Sequence, residues 1–455
     1  PTTKVGWGCS ISDNAGFPVC WPDPASGFVN VLLPKSPSDG SFQSVSPARW
    51  RVGARDVIFL PRIARSQCLL YRSLMMPVDP IELTQQLVRC QSVTPVEGGA
   101  LTHLAKILRR SGFTIEMIDR GGVSNMFARW GEKGHPRTFG FNGHTDVVPV
   151  GNAVGWTHPP FGADIHEGKI WGRGACDMKS GVAAFVAAAT GYLKENRPDG
   201  AIVIAITGDE EGDAVDGTAA SRDWMDDTGE AISHCIVGEP TCPVLLGDAR
   251  MIGRRGAMTA YLTAKGKQGH AAYPQRARNA AAALTKLTAQ LMDHELDQGT
   301  DHFEASTLAL TTIDTGNPAS NVIPAQAQAT LNIRFNDAHT SDDLLKWLRA
   351  EADAIAQKTN VSFEIRVNVS GESFVTQPGE LSSLVSSAVF AETKRRPKLS
   401  TSGGTSDARF IASHCPVVEF GLVGQSMHQV DEHVSIDDVT GLTAIYRRVL
   451  EGYFA

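Results

Sequence analysis

Two histidines and a series of carboxylates recur at five separated points of this sequence. They are Gly143-His144-Thr145-Asp146-Val147-Val148-Pro149, Trp171-Gly172-Arg173-Gly174-Ala175-Cys176-Asp177-Met178-Lys179, Gly208-Asp209-Glu210-Glu211-Gly212, Val237-Gly238-Glu239-Pro240 and Met427-His428. Taken singly, each has an ordinary structural reading: a histidine after a strand is usually a satisfied loop or core residue, and Glu-Glu is usually a solvated pair. Together they offer imidazole nitrogens and carboxylate oxygens with no thiolate. That inventory suits two Zn²⁺ ions, or a similar divalent pair, bridged by a carboxylate. The adjacent Glu210 and Glu211 then make chemical sense, because one can ligate while the other stays free as a base.

The elements that must position these groups alternate in type. Helical periodicity predicts helices over 80–90, 99–111 and 179–195, and strands over 113–118, 138–143, Ala201–Thr207 and His234–Val237. The all-apolar Ala201–Thr207 reads as a buried parallel strand. Strand, helix and strand in this rhythm predict a mainly parallel α/β sheet with helices on both faces, its motifs at the strand ends where such sheets bind ligands. Between 256 and 369 the pattern changes to alternating strands at 258–264, 306–312, 326–334 and 361–369. Helices are predicted there at 278–291 and 342–357, the second capped by Thr340 with Asp343. The α/β pattern resumes with helix Glu380–Thr393, a strand over 417–420 and a helix over 437–453. This predicts a catalytic domain of 76–255 plus 370–455, interrupted by an α+β domain of four antiparallel strands and two helices at 256–369.

Residues 1–75 differ in text and charge. They hold 8 of the 24 prolines and carry net +4, leaving −11 for 76–455 within a whole-chain charge of −7. They read as a leader or non-native extension with little order, Met76 being the true start; the alternative is an N-terminal domain without a visible period. The acidic balance disfavours nucleic acid. No run reaches the roughly 18 apolar residues of a membrane span; residues 57–70 come nearest and are broken by Pro61, Arg62 and Arg65. Eight scattered cysteines without a CxxC pair disfavour a disulfide framework. A cytoplasmic location is expected.

In order, these motifs resemble those of the aminoacylase–carboxypeptidase family of dinuclear zinc amidohydrolases. Gly253-Arg254-Arg255-Gly256, Gly269-His270-Ala271-Ala272-Tyr273-Pro274, Ser320-Asn321-Val322-Ile323-Pro324 and 402–410 (SGGTSDARF) are similar to its branch acting on N-succinyl-diaminopimelate. The resemblance implies that Asp177 bridges two metals, that His144 and Glu239 complete one site, and that Glu211 and His428 complete the other. Zn²⁺ is implied, Co²⁺ being the alternative. It further implies that Asp146 accepts the second N–H of His144, that Glu210 is the general base and acid, and that the inserted domain forms a homodimer across which His270 reaches the partner's site. Arg254, Tyr273, Asn321, Arg334, Gly403, Gly404 and Thr405 match positions that line the substrate pocket. Ala257 and Gly424 depart from the pattern, where some relatives carry Ser and Asn, which puts single substrate contacts in doubt but not the metal set.

The implied reaction is hydrolysis of N-succinyl-L,L-2,6-diaminopimelate, a small dicarboxylic amide, to succinate and L,L-diaminopimelate in lysine and diaminopimelate biosynthesis. A sibling amidohydrolase such as an acetylornithine deacetylase or aminoacylase is the near alternative. An inactive homologue serving as a binding module is the distant one, and it would be expected to have lost a ligand or Glu210.

Overall fold

Side chains that are apolar on both faces need cover on both faces, and this sets the architecture. The computed structural model describes residues 77–455 and, before them, the backbone of five short strands: Val19–Pro22, Val29–Pro34, Phe42–Val45, Arg51–Val52 and Arg55–Asp56. The first three pair as an antiparallel sheet and the last two as a ribbon. The remainder of 1–76, on which the leader expectation falls, lies outside the described residues. The chain divides into two units, Pro1–Met76 and Pro77–Ala455.

Within Pro77–Ala455, eight strands form one sheet in the order Lys398–Ser400, Ala249–Met251, Val417–Glu419, His234–Val237, Thr138–His144, Ala201–Thr207, Val123–Trp130 and Thr114–Arg120. The four central strands run parallel. Val123–Trp130 and Thr114–Arg120 form an antiparallel hairpin against them. Thr138–His144 and Ala201–Thr207 are buried along their whole length. One face is covered by helices Pro80–Arg89, Ser180–Glu195, Glu380–Thr393 and Ile436–Tyr453, whose core includes Leu87, Phe141, Phe185, Ile204 and Tyr446. Helices Thr218–Thr228 and Ala408–Ile411 cover the other face, packing Met225, Val203, Val417 and Ile411. No described helix is long and apolar enough to cross a membrane, and the five described cysteines are free.

A second sheet has its own core. Thr307–Asp314, Gln326–Phe335, Gly256–Lys265 and Ser362–Gly371 pair antiparallel in that order. Helices Ala280–Met292 and Ser341–Thr359 lie on one face, burying Leu262, Leu284, Leu287, Leu331, Phe335 and Leu348. Thr340 caps the second helix by accepting from the Asp343 N–H. The opposite face is polar and open, with Tyr261, Gln328, Glu364 and Arg366 exposed on it.

Candidate metal centre

Parallel pairing delivers three of the acid or histidine stretches to one place. His144 pairs with Thr207, and Asn142 with Val237, so the ends of three neighbouring strands are level. His144, Glu210 and Glu211 just past Thr207, and Glu239 just past Val237 therefore meet at the carboxyl edge of the sheet. The fourth contributor, Asp177, is in extended backbone (φ −121°, ψ 104°) within the turn Ala175–Lys179. Close approach beneath it depends on glycine: a Cβ on Gly143 or Gly238 would sit 2.5 or 2.6 Å from Met178 Cε. His428 arrives from the loop after Val417–Glu419 in left-handed backbone, φ 62°.

The result is two sets of donors that share Asp177. His144, Asp177 and Glu239 form one and Asp177, Glu211 and His428 the other, each with ligand atoms within 4.8 Å of one another. His144 Nε2 lies 3.1 Å from Asp177 Oδ1 and 3.9 Å from Glu239 Oε1. His428 Nε2 lies 2.8 Å from Glu211 Oε1 and 3.3 Å from Asp177 Oδ2.

The electrostatics call for cations. His144 Nδ1 is 2.9 Å from the Asp146 backbone carbonyl, which can only accept, so Nδ1 carries a proton. In a neutral ring Nε2 is then a lone pair facing two carboxylates. Glu239 Oε1 is itself buried with no hydrogen-bond partner. Burial opposes a charge on His144, yet Asp177, Glu239 and Asp146 hold its pKa well above the ordinary imidazole value. Hydrogen bonds to Asp177 and Glu211 push His428 up to about 10. Asp177 is shifted the other way: burial raises it, but the two histidines hold it well below the usual carboxylate range. Desolvation pushes Glu210 up to about 8; His144 opposes this, while Asp407, Asp177 and Glu211 add to it. Two imidazoles drawn toward protonation among four carboxylates mark positions where divalent ions fit, with hard oxygen and nitrogen ligands.

Asp146 differs from its expected part. Its backbone carbonyl takes the His144 Nδ1–H, and the carboxylate stands 3.6 Å from that nitrogen. The carboxylate instead accepts from Thr94 Oγ1 (2.6 Å), Glu211 N (3.1 Å) and Glu210 N (3.3 Å). The turn carrying Glu210 and Glu211 is nearer in hydrogen-bonding terms than the ring, and Asp146 holds that turn. Asp209 closes its far side by accepting from Val215 and Asp216 N–H.

The residues expected to line a substrate pocket fall into two groups. Arg254 lies near the metal donors, and its Nε donates to both Glu419 oxygens at 2.9 and 3.0 Å. Its Nη1 donates to Ser402 O at 3.0 Å, beside Gly403 (φ 96°), Gly404 and Thr405. The guanidinium is thus an anchored cation rather than a freely swinging one. Buried Glu419, also bonded by Ser406 Oγ, was invisible to sequence reasoning because it reads as a strand residue. His270, Tyr273 and Asn321 gather on the second domain, where Gly269–His270 pairs with Val322–Ile323 and Ala271 N donates to Asn321 O. His270 is exposed; its Nδ1 accepts from Ala272 N and its ring lies by Tyr273, with no bond to a metal donor among the described residues. Arg334 is half-buried on strand Gln326–Phe335, paired with Ala257 and with Nε bonded to Asn332; burial and the nearby Arg255 charge hold its pKa below the ordinary guanidinium value.

The sequence matches the Peptidase family M20/M25/M40 over residues 140–452. A succinyl-diaminopimelate desuccinylase of Cereibacter sphaeroides is 63% identical over 380 residues, covering 84% of this chain and 100% of that protein. Succinyl-diaminopimelate desuccinylase 1 of a Ruegeria species is 59% identical over 381 residues, with 84% and 100% covered. Among solved structures, the aminopeptidase PepT of Bacillus cereus superposes with a TM-score of 0.69 at 19% identity, covering 84% of this chain and 99% of that one. A dinuclear metal-binding M20 peptidase of Bacillus subtilis superposes with a TM-score of 0.63 at 16% identity, covering 82% and 97%.

Proposed function

This chain belongs to the peptidase family M20/M25/M40, and from that premise we propose that it hydrolyses N-succinyl-L,L-2,6-diaminopimelate to succinate and L,L-diaminopimelate, a step of lysine and diaminopimelate biosynthesis in the cytoplasm. The observation that carries the chemistry is the pair of donor sets sharing Asp177, with Glu210 beside them. The substrate follows from relatives of that name matched along their whole length.

His144, Asp177 and Glu239 would hold one divalent ion and Asp177, Glu211 and His428 the other, Zn²⁺ suiting the donors best and Co²⁺ being tolerated. Bound there, the ions supply Lewis acidity to the amide carbonyl and bring the pKa of water toward about 7. Glu210 stands beside both donor sets, where its carboxylate would take a proton from the attacking water and return it to the departing amine nitrogen, so that OH goes to the acyl carbon and H to nitrogen. Asp146 keeps Glu210 in place through the backbone. Arg254, anchored by Glu419, together with the Gly403–Gly404–Thr405 loop, presents positive charge and N–H donors to a substrate carboxylate.

The inserted domain at 256–369 would dimerise, bringing His270, Tyr273, Asn321 and Arg334 of one subunit toward the other's site. Its open sheet face and the exposed His270 support this reading.

The test is a side-by-side assay on N-succinyl-L,L-diaminopimelate and N-acetylornithine, with elemental analysis of the same sample. Faster turnover of the succinyl substrate with two ions per chain is expected. Preference for N-acetylornithine would make the protein a deacetylase of the same family.

A further inference from the structure

The loops that carry Asp177 and His428 leave a short antiparallel ladder, Lys169–Trp171 with His433–Ser435, which Gly172 N extends by donating to Glu432 O at 2.8 Å; Asp177 and His428 themselves lie beyond it, yet the second donor set requires their side chains to meet. Two charged residues outside that set link them. Glu432, with no exposed surface, belongs to the His428 loop and reaches across to the Asp177 turn. Its Oε1 accepts from Cys176 N at 2.9 Å and from Asp177 N at 3.1 Å. Arg173, 3% exposed, belongs to the Asp177 turn and reaches the other way. Its Nη1 donates to Gln429 O at 3.2 Å and its Nη2 to His428 O at 3.4 Å. The two close on each other through Arg173 Nη1 and Glu432 Oε2 at 2.6 Å, with the guanidinium 5.1 Å from the Trp156 ring centre. Each charge therefore fixes the backbone of the opposite ligand-bearing residue.

We propose that Arg173 and Glu432 are positioning residues forming a reciprocal clasp that sets the spacing of Asp177 and His428, and so governs affinity for the ion shared by Asp177, Glu211 and His428. This rests on the two-ion reading above. Neither residue belongs to a donor set. Outer partners that orient ligands are typically worth about 10–100-fold in metal affinity.

Removing one member alone would strand a buried charge and destabilise the fold for reasons unrelated to positioning. The informative variants are therefore the charge-free pair Arg173→Met/Glu432→Met, which keeps volume, and Arg173→Lys, which keeps the ion pair but lacks the fork that reaches two carbonyls. Zn²⁺ would be titrated into the metal-free full-length protein against a chromophoric chelator, and melting of the same metal-free samples recorded. The clasp predicts two ions bound by the wild type. It also predicts one of them weakened by about 10–100-fold in the double variant and by less in Arg173→Lys, with the other nearly unchanged. If the double variant does not fold, Arg173→Lys alone decides. Unchanged affinities, equal weakening of both ions, or a loss of melting temperature without loss of affinity would overturn the clasp. A wild type that takes up fewer than two ions would overturn the two-ion reading instead.

Discussion

The metal pocket and the His270 face of the inserted domain both collect the kinds of side chain that do chemistry, but they are built in opposite ways. In the pocket, His144, Asp146, Asp177 and Glu239 are buried, each hydrogen-bonded or aimed at another member. On the inserted domain, His270, Tyr273 and Asn321 are exposed and lean on a two-residue strand pair. A preorganised site can be completed by ions alone, whereas an exposed one has its surroundings still to come. This difference is what a dimer would resolve, since symmetric pairing is the commonest way for a chain to cover its own open face.

The largest expected effect breaks the first region outright. Asp177 belongs to both donor sets, so Asp177→Ala should lose both ions and abolish activity, while loss of His428 or Glu239 should weaken mainly one. Elemental analysis of dialysed protein checks this; a variant that keeps two ions would remove Asp177 from its shared position. Treatment of the wild type with a strong chelator should likewise abolish activity, and Zn²⁺ or Co²⁺ should restore it.

Next comes a change that leaves the pocket intact and removes only its base. Glu210→Gln should lower kcat by about 10²–10⁴-fold while both ions stay bound. Retained turnover with full metal content would show that another group moves the proton.

The second region is tested by His270→Ala: a ring that donates to the developing oxyanion of the partner's site would lower kcat by about 10²–10³-fold when removed, without touching metal content. Mixing inactive Glu210→Ala chains with inactive His270→Ala chains should recover part of the activity, because one hybrid site then receives an intact Glu210 and an intact His270. If verified mixed dimers stay inactive, the exposed face does not serve the partner's pocket.

How much of this the sequence discloses follows from the same contrast. The pocket was legible because its motifs sit at strand ends whose apolar cores, Ala201–Thr207 above all, announce themselves. Val123–Trp130 was not, although it lies inside the main sheet. Its Asn125 and Arg129 break the apolar pattern, and only the structure shows both buried, Asn125 bonded to Ile118 O, Asp216 O and Thr207, and Arg129 paired with Glu230. Glu419 and Glu432 were hidden for a related reason: a buried carboxylate is recognised by the cation and N–H groups folded against it, here Arg254 and Arg173 with Cys176 and Asp177, which lie far away in sequence. The second part of Asp146 was equally out of reach, since a spacing of two from His144 cannot say whether carbonyl or carboxylate takes the ring proton.

The smallest expected effect sharpens the comparison by asking whether the inserted domain's stability is separable from the pocket's chemistry. Asp297 ties the chain between helix Ala280–Met292 and strand Thr307–Asp314. It accepts from Gly299 N at 2.8 Å, Ser306 N at 3.2 Å, Asn336 Nδ2 at 2.6 Å and His339 Nε2 at 3.1 Å. Burial would raise its pKa, but the bonds from Ser306, Gly299 and Asn336 hold it down at about 2. A carboxylate held below its unfolded value of about 3.9 stabilises the fold above that pH, and the contribution fades as pH falls toward 2. Asp297→Asn should therefore lower the melting temperature at pH 7 by a few degrees, on the scale of about 1 kcal/mol for such a hydrogen-bonding group. The gap from wild type should close between pH 4 and pH 2. A gap that persists unchanged at low pH would mean that packing, not charge, is what the variant loses. At pH 7 and a temperature well below melting, kcat should be unaltered. If it falls, the inserted domain transmits its local order to the pocket, and the two regions are one working unit rather than a finished site beside an unfinished one.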